Sequence, residues 1–170
     1  WTRVTPTSAS QPGSGAGPAV TVRWQVSTTS TFSSIARAGD VRTGPARDHT
    51  IKVDVTGLQP DRYYYFRFVF GKVRSAVGRT RTAPAASASP ANVRFGVVSC
   101  ANYQAGWFSA YRHLANRNDL HAILHLGDYI YEYGPGEYGY GQGDVDIRRH
   151  SPAHEILDLA DYRQRHAQYK

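Results

Sequence analysis

Methionine is absent from the 170 residues, and cysteine occurs once, as Cys100. One thiol excludes an internal disulfide, and a leftover cysteine in an exported chain points to a reactive thiol or a metal ligand. It competes with the plainer role of a small buried hydrophobe. No stretch approaches the about 18 consecutive apolar residues of a membrane-spanning helix, and no signal peptide is visible. Without methionine, residue 1 is not an unprocessed start, so the chain is expected to be an internal or N-terminal piece of a longer polypeptide. Acidic residues are the scarcer sign, 13 Asp and Glu against 20 Lys and Arg, for a net charge of +7. A basic surface attracts nucleic acid, acidic cell-wall polymers or phosphorylated substrates. The basic residues are scattered, with no long run and no aromatic RNA-binding signature. The expectation is therefore a soluble Arg-rich protein with no dedicated nucleic-acid partner.

Apolar residues make up 41% of the chain and aromatics 12%, enough for a packed core. Residues 7 to 19 are rich in Ser, Gly, Pro and Ala and read as an exposed loop. From Val20 the pattern alternates. Val20, Val22, Trp24 and Val26 fall on one face, and Thr21, Arg23 and Gln25 on the other, as in a half-buried antiparallel strand. Ile51 to Val55 alternates likewise. Arg62 to Phe70 and Val73 to Thr82 flank Gly71-Lys72, a two-residue connection suited to a type II′ hairpin. The turn Leu58-Gln59-Pro60 followed by Tyr63-Tyr64 resembles the tyrosine corner of fibronectin type III domains. Tyr64 is then expected to hydrogen-bond back to the turn as a scaffold residue. The reading for residues 1–83 is an all-β fibronectin-III-like sandwich with its first strand or strands missing. Residues 84–92, small and proline-bearing, form a linker.

From Val93 the pattern changes. Val93 to Cys100 reads as a strand, Ala105 to Asn118 has helical spacing through Trp107, Phe108, Tyr111 and Leu114, and His121 to Leu126 reads as a second strand. Strand, helix and strand over about 35 residues make a βαβ unit with a right-handed crossover. Cys100 ends the first strand, and Gly127-Asp128-Tyr129-Ile130-Tyr131 follows the second. In open α/β sheets ligands sit beyond the carboxyl ends of the strands. If the strands are neighbours, a thiolate, a carboxylate and a phenolate converge there, and phenolate suits a hard trivalent ion. The alternative is that Asp128 caps the strand and Tyr131 packs in a loop. Gly134 to Gly143 is glycine-rich and lacks the Lys-Ser/Thr of a phosphate loop; it is expected at the rim of a site. Ser151-Pro152 can open a helix. Farther on, Leu159, Tyr162, His166 and Tyr169 fall on one helical face. His113, His121, His125, His166 and the Arg148-Arg149-His150 cluster read as packing or surface residues.

Three stretches resemble the alkaline phosphatase D family of PhoD-like secreted metallophosphoesterases: Phe95 to Gly106, His125 to Glu132, and Asp161 to Lys170. Gly-Asp-x-x-Tyr also resembles a ligand motif of purple acid phosphatases. The resemblance implies that residues 93–170 begin an α/β metallophosphoesterase domain. It implies Cys100, Asp128 and Tyr131 as iron ligands, with Asp128 bridging to calcium, hence Fe3+ and Ca2+ as cofactors. Phosphomonoesters or phosphodiesters are the implied substrates, metal-bound hydroxide the nucleophile, and a secreted, periplasmic or wall-associated location the setting. The family pattern carries further ligands beyond the motifs present here, so hydrolysis by this chain alone is not expected. A non-catalytic sandwich that binds a polymer, with a vestigial α/β part, is the alternative; a salt-sensitive nucleic-acid binder is a third reading.

Overall fold

The computed structural model describes residues 1–138 and 147–170. They divide into two compact units, Trp1–Ala91 and Asn92–Lys170.

In the first unit β1 (Thr2–Arg3) pairs with β4 (Thr50–Ile51), and a second sheet runs β3 (Ile35–Thr43), β2 (Val20–Ser27), β5 (Tyr63–Phe70). The far edge of β5 is shared by β6 (Val73–Arg74) and β7 (Gly78–Arg81), and every pairing is antiparallel. The alternation of β2 has its physical consequence here: Val22 and Val26 are buried while Thr21 and Arg23 are exposed. Val22, Ile51 and Phe68 form the core, with Val4, Trp24, Val41 and Phe66 packed around them, so the two sheets meet across one apolar cluster. The Arg3 guanidinium bonds both Asp48 oxygens at 3.1 and 3.3 Å, tying β1 to the turn before β4. Tyr64 is 2% exposed and its hydroxyl accepts from the Gln59 N–H at 3.0 Å, the back-bond to the turn expected of it.

Two strands are shorter than their sequence pattern. The β4 ladder stops at Ile51 because β1 offers two residues; Val53 and Val55 keep the alternation and line a cavity of about 400 Å³ with Trp24, Leu58 and Phe66. The return strand of the hairpin breaks between β6 and β7. There the Ser75 hydroxyl accepts from the Phe68 N–H at 3.0 Å while Ser75 N–H donates to the Phe68 carbonyl, so a side chain replaces a rung of the ladder. The two-residue connection itself is present, with Phe70 opposite Val73 and Gly71 at φ +57°.

In the second unit β8 (Phe95–Val98) and β9 (Ala122–His125) pair in parallel, with α1 (Ser109–Ala115) between them in the chain. Gly96 lies under the helix: a Cβ there would meet Ile123 at 2.6 Å and Leu114 at 3.1 Å. The opposite face presents Phe95, Val97 and Leu124 to solvent, whereas parallel sheets are commonly covered on both faces. Helix α1 is shorter than the spacing from Ala105 predicts. Phe108, at its N-cap, has φ +55° and supplies no side-chain cap, which leaves Trp107 outside the helix and exposed.

Helix α2 (Leu159–Gln168) starts at Asp158, whose side chain accepts from Asp161 N–H at 2.9 Å. Ser151-Pro152 opens no helix; residues 151–154 are bends. The face that carries Leu159 and Tyr162 leaves both exposed, while Arg165 is fully buried. Among the described residues no helix is long and apolar enough to cross a membrane. The end of the glycine-rich stretch, from 139 to 143, lies outside the described residues.

Candidate metal centre

The parallel register sets Val98 beside His125, so both strands end at one edge. Three bonds carry the pairing beyond it: Leu126 N–H to Val98 O at 2.9 Å, Cys100 N–H to Gly127 O at 3.2 Å, and Ala101 N–H to Asp128 O at 2.8 Å. The chain then turns sharply in both strands. Cys100 (φ +58°) and Asp128 (φ +49°) are left-handed, a region costing a non-glycine residue about 1–2 kcal/mol. The turns aim the two side chains at each other, with Cys100 Sγ donating to Asp128 Oδ2 at 3.4 Å. The Tyr131 hydroxyl donates to the same Oδ2 at 3.3 Å. The three residues singled out in the sequence are thus brought together at one carboxylate oxygen.

The environment is asymmetric. Cys100 and Asp128 are exposed, and Tyr131 is buried. Burial, then the Cys100 hydrogen bond and the Asp128 charge, push the Tyr131 phenol above its usual pKa, so it keeps its proton here. Two protons therefore point at one oxygen, where a cation would replace both. Donors held about 2.0–2.3 Å from a first-row ion lie about 3–3.6 Å apart across a coordination edge, and the observed 3.3 and 3.4 Å fall within that span. The donor set fits a metal. Among the described residues no cluster of three His, Cys, Asp or Glu side chains forms a further one.

The support around Tyr131 comes from a residue that sequence reasoning passed over. Arg165 of α2 is 0% exposed and spends its guanidinium on five backbone carbonyls. Nη1 donates to Tyr131 O at 2.5 Å and Tyr133 O at 3.0 Å, Nη2 to Pro152 O at 3.0 Å and His154 O at 3.1 Å, and Nε to Ser151 O at 3.3 Å. Burial lowers its pKa, against the pull of Tyr169, Asp161 and Glu132. An arginine two residues from another in a polar helix gives no sequence signal of burial. The nearest hint is its place in the third family-like stretch.

An aromatic wall stands beside this clamp. Tyr103, Phe108, Tyr129 and Tyr169 pack edge-on or tilted with ring centroids 5.4–6.1 Å apart, and Tyr169 Oη accepts from Tyr103 N–H at 3.0 Å. His166 packs on Tyr129, and His125 bonds the Tyr111 hydroxyl at 2.9 Å. His150, 2% exposed, has its Nδ1 3.0 Å from Tyr133 O. These histidines have the packing roles expected of them.

Strand-end residues grouped in this way define a class when set beside known sequences. The family model described as PhoD-like phosphatase, N-terminal domain, matches residues 1–84, and the one described as PhoD-like phosphatase matches residues 95–170. The chain belongs to the PhoD-like phosphatase family. Among individual relatives, the alkaline phosphatase D of Bacillus subtilis (strain 168) is 43% identical over 173 residues, covering 100% of this chain and 28% of its own length. A solved structure of PhoD superposes with a TM-score of 0.86 at 40% identity, over 98% of this chain and 31% of that one. The chain thus spans less than a third of the relatives it matches.

Proposed function

We propose that this chain supplies the first ligands of a metal-dependent phosphoric ester hydrolase, with Cys100, Asp128 and Tyr131 holding iron and Asp128 also facing calcium. The observation that carries this reading is the convergence of thiol, carboxyl and phenol on one oxygen at the paired ends of β8 and β9. Membership in a phosphatase family supports it. When bound, such metals lower the pKa of a coordinated water and neutralise charge on a phosphoryl group. The chain's own residues do the rest of what is described. The left-handed turns present Cys100 and Asp128 outward, and Arg165 fixes the backbone on both sides of Glu132 so that Tyr131 stays aimed at Asp128. Residues 1–83 are read as a fibronectin-III-like sandwich preceding the linker, and residues 93–170 as the opening of the catalytic domain. The setting is outside the cytoplasm, and the substrates are phosphomonoesters or phosphodiesters.

The test uses the full-length polypeptide that contains this chain, assayed on an aryl phosphomonoester and an aryl phosphodiester. Chelation is expected to abolish hydrolysis, and iron with calcium to restore it. A fully active Asp128→Asn protein would overturn the assignment.

A further inference from the structure

The positive charge that looks scattered along the sequence is gathered by the fold. Residues 1–91 carry twelve Lys and Arg against four Asp and no Glu, a net +8, while residues 92–170 carry eight against nine. Cross-strand partners share a sheet face, and the register therefore tells which arginines stand together. Opposite the core face, Arg42 of β3 lies beside Thr21, Arg23 of β2 beside Val69, and Arg74 of β6 also beside Val69. Arg67 of β5 lies beside Gln25, Arg79 of β7 beside Tyr65, and Arg81 beside Tyr63. Six arginines from five strands thus occupy the outer face of one sheet, with same-strand neighbours about 7 Å apart.

The acidic residues offset this only in part. Asp40 pairs with Arg23 at 3.2 Å and Asp61 with Arg81 at 2.5 Å. Arg67 is held by Gln25 Oε1 at 2.7 Å and lies over the Phe32 ring, which fixes its guanidinium. Arg23, Arg42, Arg74 and Arg79 are exposed. Guanidinium groups suit phosphate oxygens in a bidentate way.

We propose that this outer face is a docking surface for a linear, phosphate-bearing polyanion that lacks stacking bases. Charge complementarity names the occupant, and the aromatic rings decide its kind. A single-stranded nucleic acid needs open aromatic platforms for its bases. Here the Tyr63 ring has Arg79 and Arg81 over it at 5.3 Å and the Phe32 ring has Arg67 over it at 4.0 Å, so guanidinium covers both rings, and the half-buried Tyr65 is the other ring that β5 turns to this face. The surface lies in the first unit and is independent of the metal reading.

Binding of long-chain inorganic polyphosphate to the full-length polypeptide, measured against salt, tests it. The variant carrying Arg23→Gln, Arg42→Gln, Arg74→Gln and Arg79→Gln should lower the slope of log K on log salt by about 3, at about 0.7 per charge. Arg42→Gln alone should lower it by about 0.7, which keeps the test open if the fourfold variant does not fold. Arg112→Gln with Arg163→Gln, in the second unit, should leave binding unchanged. Absence of salt-dependent polyphosphate binding, or an unchanged slope in both face variants, would overturn the proposal. Tighter binding of oligothymidylate than of polyphosphate of equal charge would replace it with a nucleic-acid surface.

Discussion

Asp128 holds a left-handed backbone and a carboxylate oxygen on which two other side chains converge. Asparagine tolerates the same backbone region, so Asp128→Asn removes charge with little strain. The expected result is a fall in phosphate-ester hydrolysis of at least about a hundredfold, since even outer-shell changes at metal sites cost 10–100-fold, with a melting temperature close to wild type. Arg165 predicts the reverse pattern. Arg165→Gln strands buried carbonyls of Tyr131, Tyr133 and Pro152 and should cost about 2–4 kcal/mol in denaturant unfolding. Arg165→Lys should recover little, because an ammonium has three donors and no planar fork for the five carbonyls. A fully stable Arg165→Lys protein would show that the carbonyls find other partners.

At the scale of elements, β8, β9 and α1 meet over Gly96. Gly96→Ala should destabilise the second unit by about 1–3 kcal/mol through overpacking, read by hydrogen exchange of the β8 amides. The loop into β9 carries a pH dependence. Asp119 is lowered to about 2, chiefly by its Arg117 hydrogen bonds and further by the Arg94 charge. A depressed folded-state pKa stabilises above the unfolded value near 4 and loses that contribution as pH falls toward 2. Asp119→Asn should flatten the acid limb of the stability profile in that window; an unchanged limb would contradict the role of the pair. Much of this architecture was legible in residues. Alternation gave β2 its buried face, and the βαβ order gave the shared edge at which Cys100 and Asp128 meet. The break at Ser75 was not legible, because it depends on which backbone amide lies across the sheet. The start of α1 was set by the backbone of Phe108, which periodicity does not encode. The burial of Arg165 in α2 was not legible, because a guanidinium satisfied by carbonyls behaves as a core group.

Over the whole chain, two units divide the chemistry: the first carries the charge, the second the convergent donors. Alternation along each strand and cross-strand register, not runs of basic residues, assemble the arginine face, which is why composition suggested scatter. The convergence of Cys100, Asp128 and Tyr131 was readable because each sits past the end of a strand, while the support of Tyr131 by Arg165 spans 34 residues and belongs to tertiary structure alone. The central claim is that thiol, carboxylate and phenol share one metal. The most direct measurement is metal content with a visible spectrum on the full-length polypeptide and its Cys100→Ser form. The account predicts stoichiometric iron with calcium, a phenolate-to-iron absorption band, and loss of iron in the variant. A colourless protein without stoichiometric iron would contradict it.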